Sequence, residues 1–391
     1  MTLAQEQSEQ VAVRVPFFDA VAQQRSVMAE TTAAVQAVLD GARFILGPQV
    51  GEFEQAFADF VGVRHAVGVS SGLDALRLAL MALDVVPRDE VILPANTYIA
   101  TALAVSAVGA RPVLVDCDPH TYLMDLSQVG PSITTRTRVV IPVHLTGQAV
   151  DMGGVWELAR AHGLHVVEDA AQAHGASYRG RSCGAWGTLG CFSFYPSKNL
   201  GACGDAGMVT TGDGRLAERV RRLRNYGEEV KYHHVEKGVN ARLDTLQAAV
   251  LSVKLRRLAA WNHARDRLAE TYRQLLTGVG DLGFQERAPG STHVYHLFVV
   301  ETGKRDGLRE HLHGAGIQTG VHYPVPVHLQ PAYEDLGYKQ GDFPNAERLA
   351  VSTLSLPMFP ELRPDQVAFV AEQVRCFFDG TVGSGTRPAT R

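Results

Sequence analysis

The chain has 391 residues, 46% hydrophobic and 20% charged, a composition typical of a folded globular protein of about two domains. Its 37 basic and 41 acidic residues leave a formal net charge of −4, which disfavours a nucleic-acid-binding protein that depends on phosphate attraction. The five cysteines are odd in number and contain no C-x-x-C pair. We therefore expect neither a disulfide framework nor a structural zinc site, and we predict a cytoplasmic location.

The sequence also argues against a membrane protein. Residues 1–10 are polar and lack the order of a signal peptide, so we expect them to be disordered. The longest uncharged stretch, residues 91–110, contains Pro94, Asn96 and Thr101, which favour a strand, a turn and a buried helix over a membrane span. Residues 381–391 are small and polar, and we predict a disordered tail there.

Short β-branched runs alternate with helical patterns through the first two thirds of the chain. The predicted strands, in chain order, are residues 66–69, 90–93, 111–115, 139–143, 165–168, 188–194 and 207–211. Helices are predicted between them at residues 74–83, 98–108 and 155–162. This alternation predicts crossover connections and an α/β fold with a mostly parallel sheet covered on both faces.

The pattern changes in the last third of the chain. A long helix, with a possible break, is predicted at residues 243–276, where apolar residues recur at helical spacing. After a turn-rich segment we predict a strand at residues 294–300 and helices at 306–314 and 366–378. We therefore predict a large domain over residues 1–265 and a smaller C-terminal α/β domain over residues 266–380.

The first segment with chemical potential is Val69-Ser70-Ser71-Gly72-Leu73, where a predicted strand turns directly into a helix. Free backbone N–H groups at a helix N-terminus bind phosphate well. The P-loop pattern G-x-x-x-x-G-K-[ST] is absent from the chain. The alternative is ordinary helix capping by Ser70 or Ser71.

A second candidate is the pair Glu168-Asp169 at the carboxyl end of a predicted buried strand. Open α/β sheets bind their ligands at this edge. A buried carboxylate there requires a cation, a metal or a protonated ring nitrogen as its partner. The alternative is that Asp169 caps the following segment.

The third candidate is Lys198, which follows an apolar strand and stands in a turn rich in Ser, Pro, Asn and Gly. Burial would lower the pKa of this lysine and favour the neutral amine that attacks carbonyl groups. The alternative is an ordinary surface lysine.

Together the three motifs match the needs of pyridoxal phosphate. Its phosphate needs amide and hydroxyl donors, its ring nitrogen needs an anion, and its aldehyde needs an amine. An aromatic side chain after a strand end is placed to stack on the ring. We therefore predict a pyridoxal-phosphate enzyme with these cofactor-facing residues: Gly72, Leu73, Tyr98, Asp169, Ser193 and Lys198.

The chain resembles the DegT-like (DegT/DnrJ/StrS) family of sugar-nucleotide aminotransferases, which have the fold type I aminotransferase architecture. The resemblance covers almost the whole chain. The segments that carry it are Ser71-Gly72, Glu168-Asp-Ala-Ala-Gln172, Phe192-Ser193-Phe194 with Lys198 and Gly204-Asp205, and Asn240-Ala-Arg242-Leu-Asp-Thr-Leu-Gln247. Their order and spacing are typical of the family.

The resemblance implies a role for each matching residue. Lys198 would bind the cofactor covalently and shuttle the substrate's proton, and Asp169 would pair with the ring nitrogen. Gln172 would hydrogen-bond the ring hydroxyl, and Asn240 would reach the phosphate from a second subunit, which implies a homodimer. The chain departs from the family at Leu73, where Thr is usual, and at Thr146, where Tyr is usual.

One subgroup resembles the chain more than the others: enzymes that aminate carbon 3 of dTDP-linked 3-keto-deoxyhexoses, giving desosamine- or mycaminose-type sugars for macrolide antibiotics. The family then implies a dTDP-ketosugar and an amino-acid donor, with glutamate expected. The predicted substrate contacts are Tyr226, Tyr232, Arg242, Tyr323 and His328. The alternatives are a solvated loop around Tyr226 and a pairing of Arg242 with Asp244 or Glu236.

Three alternative functions remain at this point. A 4-ketosugar aminotransferase of the same family would use the same residues. A sugar dehydratase of the family would carry His in place of Lys198, so the lysine counts against it. A non-enzymatic regulator on the same fold is disfavoured because the cofactor-facing residues are retained. We expect no metal site, since the histidines near residues 311–328 do not follow a metal-ligand spacing.

Overall fold

A computed structural model describes residues 14–380, so the disorder predicted for residues 1–10 and 381–391 lies outside the described residues. The strands of the main sheet are β1 (His65–Val69), β2 (Glu90–Pro94), β3 (Arg111–Val115), β4 (Thr137–Val140), β5 (His165–Asp169), β8 (Leu189–Ser193) and β9 (Gly207–Thr211). The shorter strands are β6 (Ser177–Tyr178), β7 (Arg181–Ser182), β10 (Glu228–Val230), β11 (His233–His234), β12 (Gly283–Phe284), β13 (Phe298–Glu301) and β14 (Thr353–Leu356).

The α-helices of the described residues, in chain order, are α1 (Ala20–Gly41), α2 (Pro48–Val61), α3 (Gly72–Ala82), α4 (Ile99–Ala107), α5 (Leu126–Val129), α6 (Met152–His162), α7 (Gly214–Leu223), α8 (Thr245–Leu255), α9 (Leu258–Leu276), α10 (Arg305–Gly314), α11 (Pro344–Ser352) and α12 (Pro364–Asp379). None of them combines the length and the apolar composition that crossing a membrane requires.

The main sheet confirms the predicted α/β fold. Its strand order is β1-β9-β8-β5-β4-β2-β3. The pairs from β3 through β2, β4 and β5 to β8 are parallel, whereas β9 runs antiparallel to both β8 and β1. Because parallel strands end at the same edge, the segments that follow β2, β4, β5 and β8 meet there.

Two groups of buried apolar side chains hold the chain together. The larger group surrounds the main sheet and includes Val166 and Val167 of β5. The smaller group packs Tyr272 of α9 against Phe298 of β13, with the ring centroids 4.9 Å apart. Helix α9 contributes Leu258 to the larger group and its C-terminal part to the smaller one. Position 266, the predicted domain boundary, therefore lies inside a continuous helix.

The last third differs from the prediction in detail. The predicted helix over residues 243–276 is two helices, α8 and α9, which meet at Arg256 and Arg257. The predicted strand over residues 294–300 begins only at Phe298. Val294 lies outside strand β13, and its N–H donates to the carbonyl oxygen of Gly147 at 2.9 Å. Helices α1, α2, α5 and α11 and strands β6, β7, β10, β11, β12 and β14 are not among the predicted elements.

Candidate active site

The three chemical motifs of the sequence meet at one edge of the main sheet. Gly207, the first residue of β9, pairs with Val69 at the end of β1 and with Ser193 at the end of β8. Strand β8 lies beside β5, where Asp169 pairs with Cys191. The turn into α3, Ser193 and Asp169 are therefore neighbours, because their strands end at the same level.

The N-terminus of α3 forms a cradle against Ser193. A Cβ atom placed on Gly72 would lie 2.6 Å from the Ser193 Cβ, so only glycine fits at this point. Ser71 caps the helix by accepting a 3.1 Å hydrogen bond from the Asp74 N–H. This confirms capping by Ser71, but it leaves the first amides of α3, those of Gly72 and Leu73, without an acceptor among residues 14–380. These amides and the Ser193 hydroxyl suit a phosphate group.

Asp169 is a buried carboxylate with a defined orientation. Its Oδ2 accepts a 2.8 Å hydrogen bond from the Thr101 hydroxyl, and its Oδ1 accepts a 3.2 Å bond from the Ala171 N–H. Burial raises the pKa of Asp169, and the Thr101 hydrogen bond opposes this shift. A cation or a protonated ring nitrogen would stabilise the charged form. Thr101 was missed by the sequence analysis, although it stands one turn after Tyr98 on α4.

Lys198 stands in a tight turn after β8. Its N–H donates to the Tyr195 carbonyl oxygen at 2.8 Å, and the Ala202 N–H donates to the Phe194 carbonyl oxygen at 2.8 Å. Burial lowers the pKa of Lys198 from 10.5 to about 8, while the negative charge of Asp169 acts in the opposite direction. A larger fraction of this side chain is therefore neutral near physiological pH than of an exposed lysine, as a nucleophile for carbonyl groups requires.

The Gln172 side chain links two segments of the site, one at Thr146 and one at Tyr323. Its Oε1 accepts a 2.5 Å hydrogen bond from the Thr146 N–H, and its Nε2 donates to the Tyr323 hydroxyl at 3.1 Å. The Tyr323 ring lies 5.1 Å from the ring of Tyr98, which is 54% exposed at the start of α4. The structure therefore brings Tyr98, Gln172 and Tyr323 together.

Thr146 has an unusual backbone conformation for a β-branched residue, with φ of 62°. Its hydroxyl lies 2.6 Å from the Leu145 carbonyl oxygen and 2.7 Å from Oε1 of Gln285, two acceptors for its one proton, and 3.3 Å from Nε2 of His293. Nδ1 of His293 accepts from the Tyr295 N–H at 2.9 Å, so the proton of this ring is on Nε2 and points to Thr146. These bonds compensate the strain and fix the amide that orients Gln172.

His174 is buried behind Ser193. Its ring centroid lies 5.4 Å from that of Phe192 and 5.6 Å from that of Phe194. Burial, together with the charge of Lys198, lowers the pKa of His174 to about 3, so the ring is neutral. The neutral ring packs between Phe192 and Phe194, and neither of its nitrogens has a hydrogen-bond partner among the described residues.

Hydrogen bonds of the adjacent Glu168 hold the strand end that carries Asp169. The Glu168 carboxylate accepts hydrogen bonds of 2.8, 2.7 and 2.6 Å from the backbone N–H groups of Gly184, Trp186 and Gly187, which lie in one turn. It also contacts Nε2 of His144 at 2.9 Å. The His144 N–H in turn donates to the Asp169 carbonyl oxygen at 3.0 Å. Glu168 therefore positions the strand end rather than facing the site.

The predicted substrate contacts around residue 232 lie on an exposed surface beside the end of β1. The backbone of Arg242 forms an isolated antiparallel β-bridge with that of Val69, and Nη1 of its side chain donates to Oδ1 of Asn225 at 3.0 Å. The Arg242 guanidinium lies 5.4 Å from the centre of the Tyr226 ring. Tyr232 is 82% exposed, and Asn240 is exposed as well. Side chains with these exposures are available to a ligand or to a second subunit.

Glu236 and His328 have other partners in the structure than those considered from the sequence. Glu236, one candidate partner of Arg242, instead binds Arg219 at 3.2 Å and Arg222 at 3.1 Å. His328, a predicted substrate contact, is buried, and its Nε2 lies 2.9 Å from Oε1 of Glu347. The structure therefore does not bring His328 to the surface of the site.

The residues fit the predicted cofactor. The Gly72 cradle has donors for a phosphate, Asp169 is a buried carboxylate without a cationic hydrogen-bond partner among the described residues, and Lys198 is a partly neutral amine. The DegT/DnrJ/EryC1/StrS aminotransferase family matches residues 25–375. The chain belongs to this family.

Two curated relatives of this DegT-family chain show how wide the family is. The dTDP-3-amino-3,4,6-trideoxy-alpha-D-glucose transaminase of Streptomyces venezuelae is 52% identical over 93% of this chain and 96% of its own. A pleiotropic regulatory protein of Geobacillus stearothermophilus is 44% identical over 94% of this chain and 99% of its own.

A solved structure supports the same relationship. The S. venezuelae DesV protein, crystallised in complex with a ketimine intermediate, superposes with a TM-score of 0.91 and 51% identity, covering 93% of this chain and 98% of its own. The predictions of the family, the aminotransferase fold, the transaminase class and the pyridoxal phosphate cofactor are confirmed. The roles of the individual site residues remain predictions.

Proposed function

We propose that this aminotransferase transfers an amino group from an amino acid, L-glutamate, to a dTDP-linked 3-keto-deoxyhexose. The product would be a dTDP-3-amino sugar for the glycosylation of an antibiotic such as a macrolide. The observation that carries the proposal is a buried Asp169 and a partly neutral Lys198 at one sheet edge, in a chain 52% identical to a dTDP-3-amino-sugar transaminase.

The cofactor-facing residues would have separate tasks. The Gly72 and Leu73 amides and the Ser193 hydroxyl would bind the phosphate. Asp169 would keep the ring nitrogen protonated, since a buried carboxylate favours a positive partner. When bound, pyridoxal phosphate supplies an electron sink for negative charge on the substrate carbon.

Lys198 would have two tasks. Its neutral amine would bind the cofactor's aldehyde, with loss of water, in the resting enzyme. Once an amino acid has displaced it, the free amine would take the proton from the substrate's carbon and, as an acid, give that proton up again. The pKa of about 8 suits both directions of proton transfer, because the amine is then poised between its two forms near physiological pH.

We further propose a cytoplasmic homodimer with shared active sites. The exposed Asn240 and the Tyr226–Arg242 pair lie beside the β1 end, where a second subunit or a nucleotide could bind. A guanidinium such as that of Arg242 suits a diphosphate because it offers a forked pair of donors. Tyr232 and Tyr323 complete the proposed contacts. We leave His328 out, since its ring contacts Glu347 inside the protein.

Incubation with L-glutamate and a matched pair of dTDP-sugars, one 3-keto and one 4-keto, tests the proposal. We expect amination of the 3-keto sugar, identified by mass and by NMR assignment of the aminated carbon. Amination of only the 4-keto sugar would support the 4-ketosugar alternative and contradict the proposal.

A regulatory protein is the second candidate because the relative from G. stearothermophilus carries that name. The purified full-length protein distinguishes the two. A yellow preparation that an amino acid bleaches and a ketosugar does not supports the transaminase. A colourless preparation that added cofactor cannot restore would favour the regulator.

A further inference from the structure

Two side-chain amides connect the catalytic segments behind the site. Asn199, which directly follows Lys198, is only 1% exposed. Its Nδ2 donates to Oδ1 of Asn262 at 2.8 Å and to the Val294 carbonyl oxygen at 2.9 Å. Asn262, on α9, donates from its own Nδ2 to the His174 carbonyl oxygen at 2.8 Å.

The orientation of both amides follows from their partners. A backbone carbonyl only accepts, so Val294 requires the Asn199 NH₂ group on its side, and His174 requires the Asn262 NH₂ group on its side. Oδ1 of Asn262 is then left to accept from Asn199. Each of the two amides is therefore held in a single orientation.

Glycine makes this arrangement possible. Gly175, next to His174, has φ of 90°, and a Cβ atom there would lie 2.8 Å from Nδ2 of Asn262. The loop therefore approaches α9 closely enough for the His174 carbonyl to meet the amide. The same loop begins at Asp169 and contains Gln172.

We propose that Asn262 is a positioning residue that holds the Lys198 turn and the Asp169–His174 loop at one fixed separation. The separation between the Lys198 amine and the Asp169 carboxylate would then be set before the cofactor binds. The inference rests on the pyridoxal phosphate chemistry of the family and is independent of which ketosugar is the substrate. Since Asn262 touches neither reacting group, it acts only through Asn199 and His174.

The test uses the full-length protein, freed of cofactor and mixed with pyridoxal phosphate. Borohydride trapping followed by peptide mapping measures how fast residue 198 becomes labelled. For Asn262→Ala we expect labelling slower by about 10- to 100-fold, because a displacement of about 1 Å at a reacting group has costs of this size. Asn262→Gln keeps both the acceptor for Asn199 and the donor for the His174 carbonyl on a longer side chain, so we expect an intermediate rate.

A cofactor-free measurement separates positioning from general destabilisation. Reductive methylation over a pH series reports the pKa of Lys198, which we expect to rise from about 8 towards 10.5 in Asn262→Ala as the turn loosens. Asn345→Ala is the matched control, since the Asn345 Nδ2 also donates to one backbone carbonyl, that of Cys117, at 2.9 Å. This control variant should lower the thermal stability of the protein without changing the labelling rate or the pKa of Lys198.

Wild-type labelling rates and a wild-type Lys198 pKa in both Asn262 variants would overturn the inference. If Asn262→Ala does not fold, the Gln variant decides by the same two measurements. Failure of the wild type to aminate a 3-keto sugar contradicts the proposed substrate, whereas the labelling experiment needs no sugar.

Discussion

The Thr101 hydroxyl donates to the Asp169 carboxylate at 2.8 Å across 68 residues of sequence, and it lies 2.8 Å from the Thr97 hydroxyl. Thr97 therefore donates to Thr101, which donates to Asp169. A chain of hydrogen bonds directed at a buried carboxylate stabilises its charged form. The charge on Asp169 thus depends on helix α4 as well as on the strand that carries it.

Thr101→Val removes this donor and should raise the pKa of Asp169 further. Since a raised pKa means that the carboxylate becomes protonated at higher pH, the acidic limb of the activity profile should move to higher pH. A hydrogen bond to a charged group is worth about 1.5–3 kcal/mol, so we expect kcat to fall roughly 10- to 100-fold. Thr101→Ser keeps the hydroxyl and should retain the wild-type profile. Identical profiles for the Val and Ser variants would contradict the role of this hydrogen bond.

Gly72→Ala tests the phosphate cradle. The added methyl group would lie 2.6 Å from the Ser193 Cβ, so Ser193 or the start of α3 has to move. Such overpacking costs about 1–3 kcal/mol, and we expect pyridoxal phosphate to bind roughly 10- to 100-fold more weakly in an absorbance titration. Gly51→Ala, in α2 with open space around it, is the control and should leave cofactor affinity unchanged. Equal affinities in the two variants would argue against a cradle at Gly72.

Lys198→Ala should bind the cofactor without a covalent bond and lose turnover. In the wild type, the rate of borohydride-trapped labelling should rise with pH and level off above about 8, because the neutral amine is the nucleophile and its fraction grows as the pH passes the lowered pKa. Lys304→Ala, at an exposed lysine, should behave as the wild type. Labelling at another residue, or none, would refute the assignment of Lys198.

Thr146 offers a test of stability. Thr146→Val keeps the shape of the side chain but removes the hydroxyl that contacts the Leu145 carbonyl oxygen at 2.6 Å and Oε1 of Gln285 at 2.7 Å. Oε1 of Gln285 then keeps only the 3.4 Å contact with Nε2 of His293, so we expect a cost of about 1–3 kcal/mol of unfolding free energy. Thr146→Ser keeps the hydroxyl and removes the β-branch at a positive φ, so it should be at least as stable as the wild type. Chemical denaturation measures both. A Ser variant less stable than the Val variant would show that the hydroxyl bonds contribute little.

The candidate site was largely predictable because its main residues stand at strand ends. Parallel strands end at one edge, so Asp169 and Ser193 could be assigned to that edge from the sequence. That β5 lies directly beside β8 came only from the structure. The amides at Gly72 followed from a strand that turns directly into a helix. Helix α1 lacks a clear apolar pattern, because its buried face carries Gln23 and Thr31 as well as Val27 and Val38.

Contacts between distant segments were beyond the sequence. His328 looked like a substrate contact, yet the fold places Glu347 against its ring. Arg242 had Glu236 as a nearby acidic candidate, but helix α7 brings two other arginines to that carboxylate. A side chain bonds to whichever partner the packed backbone delivers, and sequence distance does not rank those partners.

The amino-acid sequence by itself determined the α/β fold, the family, and the candidate amine, carboxylate and phosphate donors, because periodicity and strand-end position are local properties of the chain. Only the tertiary structure decided what surrounds those groups: Thr101 at Asp169, the buried ring of His174 against Phe192 and Phe194, and the positive φ of Thr146 beside Gln172. These contacts set the charge and the orientation of each group, and they arise when segments far apart in the chain pack into a common core.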